Sequence, residues 1–432
     1  MRQDHRINVG IGFVTGRKSF KHLIKTYVNS WNESGLIADD NIGLHLLVAY
    51  DLKYSRTKPS DYTDLDAEVG AMLDTITFVD DTMLRNEKKR LIRDGILSPR
   101  ETDLLFGEGY GKKRNILLHL ALKAGLDYLI FIDDDEYPVA PVKTEHQQLI
   151  WKGQSVVANH LKYIPGADLT HGHHCGYISP IPHLEFDETL TETDFRIFIE
   201  AISNDIIDWE SIRGKMAAGG ITYADDRILS QPRAFEVPEE SGAKFISGSN
   251  LCFNLGRTER LAPFYNPPGA RGEDTFLGTC LTRAKVLKVP CYTFHDGFLS
   301  YVHLLHGVLP ASLRPITASG DPESAPVIAR FLKAAIGWVR YKPLLLYVKQ
   351  PAGYEAEIER VRDGLRQVLP KLCRRFQNEG FHQLLEQLDY YHRNVRVHFN
   401  AFEETKRAWR KLLDGIKSEN PGKMSHACFP AD

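Results

Sequence analysis

The sequence predicts an α/β fold: a mostly parallel sheet with helices on both faces, followed by an all-helical C-terminal region. Three observations predict it. Short apolar runs alternate with helix-period segments through the N-terminal third, several of those runs end in aspartate, and from about residue 323 the pattern is helical throughout.

The elements follow in order. "INVGIGFVT" (7–15) has the unbroken apolar character of a strand buried on both faces. In "SFKHLIKTYVNSW" the residues Phe20, Leu23, Ile24, Tyr27, Val28 and Trp31 recur at the spacing of one helix face. "IGLHLLVAYD" (42–51) and "ITFVDD" (76–81) are further strands ending in acid, and "GYGKKRNILLHLALKAG" (109–125) is a glycine loop, a basic turn and a helix. The strand "YLIFI" follows and runs into "DDDEYP". In such sheets ligands bind beyond the carboxyl ends of the strands, where Asp51, Asp80 and Asp133 fall. Residues 141–244, rich in His, Pro, Gly and acid, are expected to form long loops around a cleft, with a helix near 192–208. Sheet-like pattern returns at "AKFISGSNLCFNL" (243–255), "VLKVP" (286–290) and "YTFHDGF" (292–298), and the Pro-rich segment 313–326 marks the start of the helical region.

Composition narrows the setting. At 432 residues with 43% hydrophobic residues, the chain can bury a sizeable core. Its 54 Lys and Arg nearly balance 56 Asp and Glu, so no global field points to nucleic acid. Six cysteines, scattered without a C-x-x-C pair, point to reduced thiols. A polar N-terminus and the lack of an eighteen-residue apolar stretch add to the expectation of a cytoplasmic protein.

The chemistry concentrates at "YLIFIDDDEYP" (128–138). Four adjacent carboxylates repel one another unless a cation sits among them. Period-two alternation puts Asp133 and Asp135 on one side and Asp134 on the other. Oxygen ligands suit a hard divalent ion, Mn²⁺ or Mg²⁺, which also binds substrate phosphates. An isoprenoid-type D-D-x-x-D is excluded, because Tyr137 and Pro138 stand where its last aspartate would be. A second acid pair, Glu273 and Asp274, follows the helix breakers Pro267, Pro268, Gly269 and Gly272 and so sits near a helix N-terminus, where either could also be a capping acid.

Taken in order, "INVGIGFVTG", the strand ending in Asp51, "GKKRN", "FIDDDEYP", "FISGSNLCFN", "RGEDTFLG" and "YTFHDGF" resemble an inverting GT-A glycosyltransferase of the large family 2 type. The resemblance covers roughly residues 7–300. It implies a Rossmann-like, doubly wound mixed sheet over 1–310, with a donor half to about 140 and an acceptor half beyond it, and a separate helical domain at 311–432. It further implies metal-dependent transfer of a sugar from a nucleotide-diphosphate donor to a glycan or glycolipid hydroxyl, with inversion. Asp274 would be the base and Glu273 its neighbour orienting the acceptor. Thr15, Asp51, Arg114, Asn115 and Asp134 would bind the donor, and Asp133, Asp135 and His295 the metal. A retaining transferase, a sugar-phosphate nucleotidyltransferase and a non-catalytic sugar- or nucleotide-binding protein remain open.

Other patterns weigh less. "GIGFVTG" misses the dinucleotide fingerprint by one residue, and the basic "TGRKSF" (15–20) is only a faint version of a nucleotidyltransferase loop. "HGHHC" (171–175) is read as loop or acceptor-contacting residues rather than a metal site. The helix at 324–349 carries an apolar face of Ile328, Phe331, Leu332, Ala335, Ile336 and Val339 beside Arg330, Lys333, Arg340, Lys342 and Lys349. Such a helix can lie on an anionic membrane, though packing on its own domain is the commoner use.

Overall fold

The computed structural model describes residues 6–203, 209–319 and 322–419. Strands β1 (Ile7–Thr15), β2 (Ile42–Tyr50), β3 (Thr75–Val79) and β4 (Tyr128–Asp133) are mutually parallel, in the order β3-β2-β1-β4. Helices α1 (Phe20–Glu33), α2 (Asp81–Arg93), α3 (Pro99–Leu105) and α4 (Tyr110–Ala124) connect them. All six residues of the expected α1 face are buried. Gly10 and Gly12 lie inside β1, where a Cβ would crowd Leu129 and Phe131, so they are packing residues of the strand.

Beyond β4 the sheet becomes mixed. The further elements are β5 (Glu136–Tyr137), α5 (Val156–Tyr163), β6 (Leu169–Gly176), α6 (Glu192–Ile202), β7 (Leu251–Asn254), α7 (Glu273–Thr279) and β8 (Val286–His295). The order continues β4-β7-β6-β8-β5, with β7 antiparallel to β4 and β6, β8 parallel to β6, and β5 antiparallel to β8. One geometric constraint follows. β5 begins three residues after β4 ends, a span of at most about 11 Å, yet β7, β6 and β8 lie between them along the sheet. The sheet therefore curls, bringing the ends of β8 and β5 over the end of β4. Asp134 and Asp135 are the residues that close the gap, and the backbone N–H of Asp296 hooks onto Asp135 O at 2.9 Å.

Helices α8 (Ala325–Lys349), α9 (Tyr354–Phe376), α10 (Gln383–Arg393) and α11 (Val395–Glu419) complete the chain. They share cores with what precedes them. Phe331 and Phe381 pack on Phe195 and Phe198 of α6, while Trp409 and Leu412 of α11 join Leu129 and Phe131 beneath the sheet. Ion pairs Arg100–Glu404 and Glu101–Lys411 tie α11 to α3. The apolar face of 324–349 on which a membrane contact would rest is turned inward, with Ile328, Phe331, Ala335 and Val339 buried. Among the described residues no helix is long and apolar enough to cross a membrane. The five described cysteines are free thiols; Cys428 lies outside the described residues.

The structure corrects the reading of 141–244 as loops. "HGHHC" lies within β6, an inner strand of the sheet. His171 is buried against Lys288, Nζ lying 3.3 Å from Nδ1, and the buried His160 of α5 bonds Thr170 Oγ1 and Asn250 Oδ1 at 2.7 and 2.8 Å. Period and polarity mislead here because His160 is satisfied by buried partners and His171 is packed against Lys288 instead of facing water.

Burial lowers His160 to about 4 and His171 well below the usual histidine range. A histidine that folding keeps neutral stabilises the protein above its unfolded pKa, and that contribution is lost as pH falls towards the folded value. Each should cost about 1.4 kcal/mol per pH unit below ~6.5. Urea unfolding at pH 7.5, 6 and 5 should show this decline, and His160→Gln should flatten it; a pH-independent midpoint would mean these histidines are not held neutral.

Candidate functional site

The C-terminal ends of β1 and β4, the start of α4, the turn before α7 and the end of β8 converge on one cleft of about 1070 Å³. Its fourth side is the C-terminal helical region, through Arg330, Lys333, Trp338 and Tyr341 of α8 and Tyr390 of α10.

The acid turn forms the floor. Because β4 ends at Asp133, Asp134 and Asp135 lie in a turn and strand alternation does not govern them. Asp134 is nonetheless directed towards β1, where its Oδ2 accepts from Thr15 Oγ1 at 2.8 Å and Gly16 N at 3.3 Å. Asp135 faces His295, 3.6 Å away. Arg17 spans both, with Nε 3.3 Å from Asp134 and Nη2 2.9 Å from Asp135. Its Nη1 is buried without a hydrogen-bond partner.

Arg114 spans the other direction. Its Nη2 donates to Asp133 at 2.7 Å and its Nη1 to Glu273 at 2.9 Å, joining the acid turn to the second acid pair. The guanidinium is 2% exposed, lies 5.4 Å from the Phe264 ring centroid, and rests against Gly248. On α7, Asp274 accepts from Thr275 N at 2.8 Å and Gly248 N at 3.3 Å. Gly272 precedes it at φ +93, and a side chain there would collide with the Tyr341 ring.

A buried network holds the turn from behind. The Asp133 amide donates to Ser249 Oγ at 3.0 Å, Ser249 donates to Glu136 Oε2 at 2.7 Å, Thr293 donates to the same oxygen at 2.8 Å, and His174 lies 3.1 Å from Oε1. Burial alone would raise Glu136, but His174, His295 and Ser249 bring it down to about 2, so it stays charged. Asp133 and Asp134 go the other way. Burial raises both, and Arg114 and Arg17 only partly offset it. Glu273 and Asp274 are likewise raised by burial against the pull of Arg114. Burial works against His295 as a cation, yet Asp135 and Glu136 leave its pKa raised. The carboxylates outweigh the cations among them, a surplus that suits a further positive charge.

Asp133, Asp135 and His295 fit a hard divalent ion in kind and in charge. Their donor atoms are not gathered as they stand, since Arg114 draws Asp133 one way and Arg17 draws Asp135 the other. Among the described residues the only set with ligand atoms all within 4.8 Å is Cys373, Glu379 and His382, far from the acid turn in sequence and absent from the cleft lining.

Three of the sequence-derived donor residues make contacts within the protein. Asn115 is fully buried and spends its amide on Leu105 O, Phe264 O and Phe264 N, so it staples α4 to the loop before α7. Thr15 is buried and serves Asp134. Asp51 is half-exposed, ion-pairs with Lys113 at 3.6 Å, and is not among the cleft-lining residues. Conversely, Arg17, Glu136 and Ser249 were missed. Arg17 follows the end of β1, at the same sheet edge as Asp133, and that placement was the available signal; nothing local marked Glu136 or Ser249. No protein-family model matches the chain, and no curated protein matches it significantly.

A Cβ at residue 248 would lie 2.3 Å from Arg114 Nη1, so Gly248→Ala must displace the guanidinium from its paired acids. We expect it to destabilise the fold by about 1–3 kcal/mol, measured by urea unfolding. An unchanged midpoint would show that the Arg114 pairs carry little stability.

Proposed function

We propose that the protein is a metal-dependent, inverting glycosyltransferase of GT-A type, moving a sugar from a nucleotide-diphosphate donor to an acceptor hydroxyl. The observation that carries this reading is the meeting of two acid groups, Asp133–Asp135 and Glu273–Asp274, in one cleft with Arg114 between them. The parallel β3-β2-β1-β4 half and the acid turn at the end of β4 support a Rossmann-like donor half.

Asp133, Asp135 and His295 would hold Mn²⁺ or Mg²⁺, which when bound neutralises the departing diphosphate. Arg17, with an unpartnered Nη1, adds a donor on the same side. Asp274 lies on the other side of Arg114. Oriented by two backbone amides, it takes the proton as the acceptor oxygen forms its bond to the anomeric carbon and the bond to the diphosphate oxygen breaks. The raised pKa of Asp274 makes it a stronger base than an exposed aspartate, at the cost of activity in acid. Glu273 holds Arg114 and so fixes the distance between the two ends of the reaction.

Two tests address the parts separately. With a panel of nucleotide-sugars, EDTA and Asp135→Asn should each abolish transfer, and Mn²⁺ or Mg²⁺ should restore the wild type alone; full turnover in EDTA excludes the metal. Asp274→Asn keeps the size of the side chain and one of the two amide contacts but removes the proton acceptor. Its kcat should fall about 10²–10⁴-fold with nearly unchanged binding of the nucleoside diphosphate. An active variant whose product retains the anomeric configuration would overturn inversion, and loss of nucleotide binding would reduce Asp274 to a structural cap.

A further inference from the structure

The wall of the cleft facing the acid turn is cationic. Arg271, in the loop before α7, and Arg330 and Lys333, on α8, line it, and none of the three has an ion-pair partner among the described residues. No carboxylate from α8, α10 or α11 reaches this cleft. Packing, not counter-charge, holds two of the cations. The stem of Arg271 lies in the notch left by Gly337, where a Cβ would come within 2.9 Å of Cδ, and the Arg330 guanidinium stands 4.9 Å from the centre of the Phe298 ring. Burial disfavours the charge on Arg330; Asp135 opposes that effect, while Arg17 and Arg271 reinforce it.

Arg330 is half-buried and Arg271 and Lys333 are exposed, and three cations gathered on one wall with no ion pair between them and an acid form a positive patch that a bound anion neutralises. The donor does not account for it. On the reading above, the diphosphate is met by the ion at the acid turn and by Arg17, and these three cations remain. At about 1070 Å³ the cleft stands at the top of the usual range for ligand pockets, roughly 300–1,000 Å³. Trp338 and Tyr390 line the same wall and offer aromatic surface against which a sugar ring can stack.

We propose that Arg271, Arg330 and Lys333 form an anion-recognition subsite for the acceptor, which is therefore a sugar or polyol carrying phosphate or carboxylate and not a neutral glycan. The inference rests on the glycosyltransferase reading for the word acceptor, but the subsite itself rests on the cations. A donor diphosphate shares the chemistry of the proposed ligand, so the experiment separates the two sources.

Binding to the full chain is measured by calorimetry with glucose 6-phosphate, glucuronate and methyl glucoside, each with and without saturating Mn²⁺ and UDP, GDP, ADP or CDP. Glucose 6-phosphate or glucuronate should bind the nucleotide-loaded protein, and methyl glucoside should bind more weakly than either. Arg330→Gln with Lys333→Gln should weaken the anionic probe about tenfold or more, with nucleotide affinity kept within about twofold. Lys333→Gln alone, at an exposed position, should move in the same direction without risk to the fold. The proposal is overturned if nucleotide and anionic probe compete, if the variants lose nucleotide affinity instead, or if neither anionic probe binds the wild type. Should no nucleoside diphosphate bind while the anionic probe still depends on Arg330 and Lys333, the glycosyltransferase reading fails and the anion subsite stands without its acceptor role.

Discussion

The site depends on one buried guanidinium. Arg114 pairs with Asp133 on one side and Glu273 on the other, and these acids come from the end of β4 and the start of α7. Removing one member of such a pair strands a charge in low dielectric, at a cost of about 3–5 kcal/mol. Much of the nearby sequence is explained by this arrangement. Gly248 leaves room for the guanidinium, Phe264 and Tyr110 flank it, and Asn115 on the next position of α4 fastens that helix to the Phe264 backbone.

Around that pairing the cleft has two kinds of wall. The sheet and its loops supply carboxylates, while the C-terminal helices and the loop before α7 supply arginine, lysine and aromatic rings. Charge of opposite sign on facing walls sets up a field across the cleft along one direction. The C-terminal helices therefore shape the cleft as well as covering apolar surface. Tyr341, packed beside Gly272, brings α8 to the acid pair on α7.

What could be read from the sequence was what depends on local order. The α1 face is fixed by its own spacing, and the acids at 133 and 274 by a strand end and by helix breakers a few residues away. What could not be read depends on pairing across long separations. "HGHHC" resembled a loop because imidazoles are polar, and only the placement of β6 beside β8 and β7 brings Lys288 to the His171 ring and the Asn250 amide to the His173 carbonyl. Asn115 reads as a donor contact through the family resemblance of "GKKRN", and only the position of Phe264 shows that its amide is bonded within the protein. Arg330 and Lys333 stood out as charges on an amphipathic helix, whose environment no periodicity supplies.

The curl of the sheet bears on how the chain reaches this state. The segment from Asp133 to Glu136 joins strands that neighbour each other in sequence but are separated by three strands of the finished sheet, and those strands come from residues 169 to 295. Closing the turn over β4 thus requires contacts of high sequence separation, the slowest kind to form because loop-closure entropy is spent before they give anything back. The Asp296 amide that fixes Asp135 comes directly after β8, the last strand in chain order among the described residues. A nascent or partly folded chain holds its aspartates without their geometry, so the arrangement of the acid turn arrives with completion of the sheet and not before it.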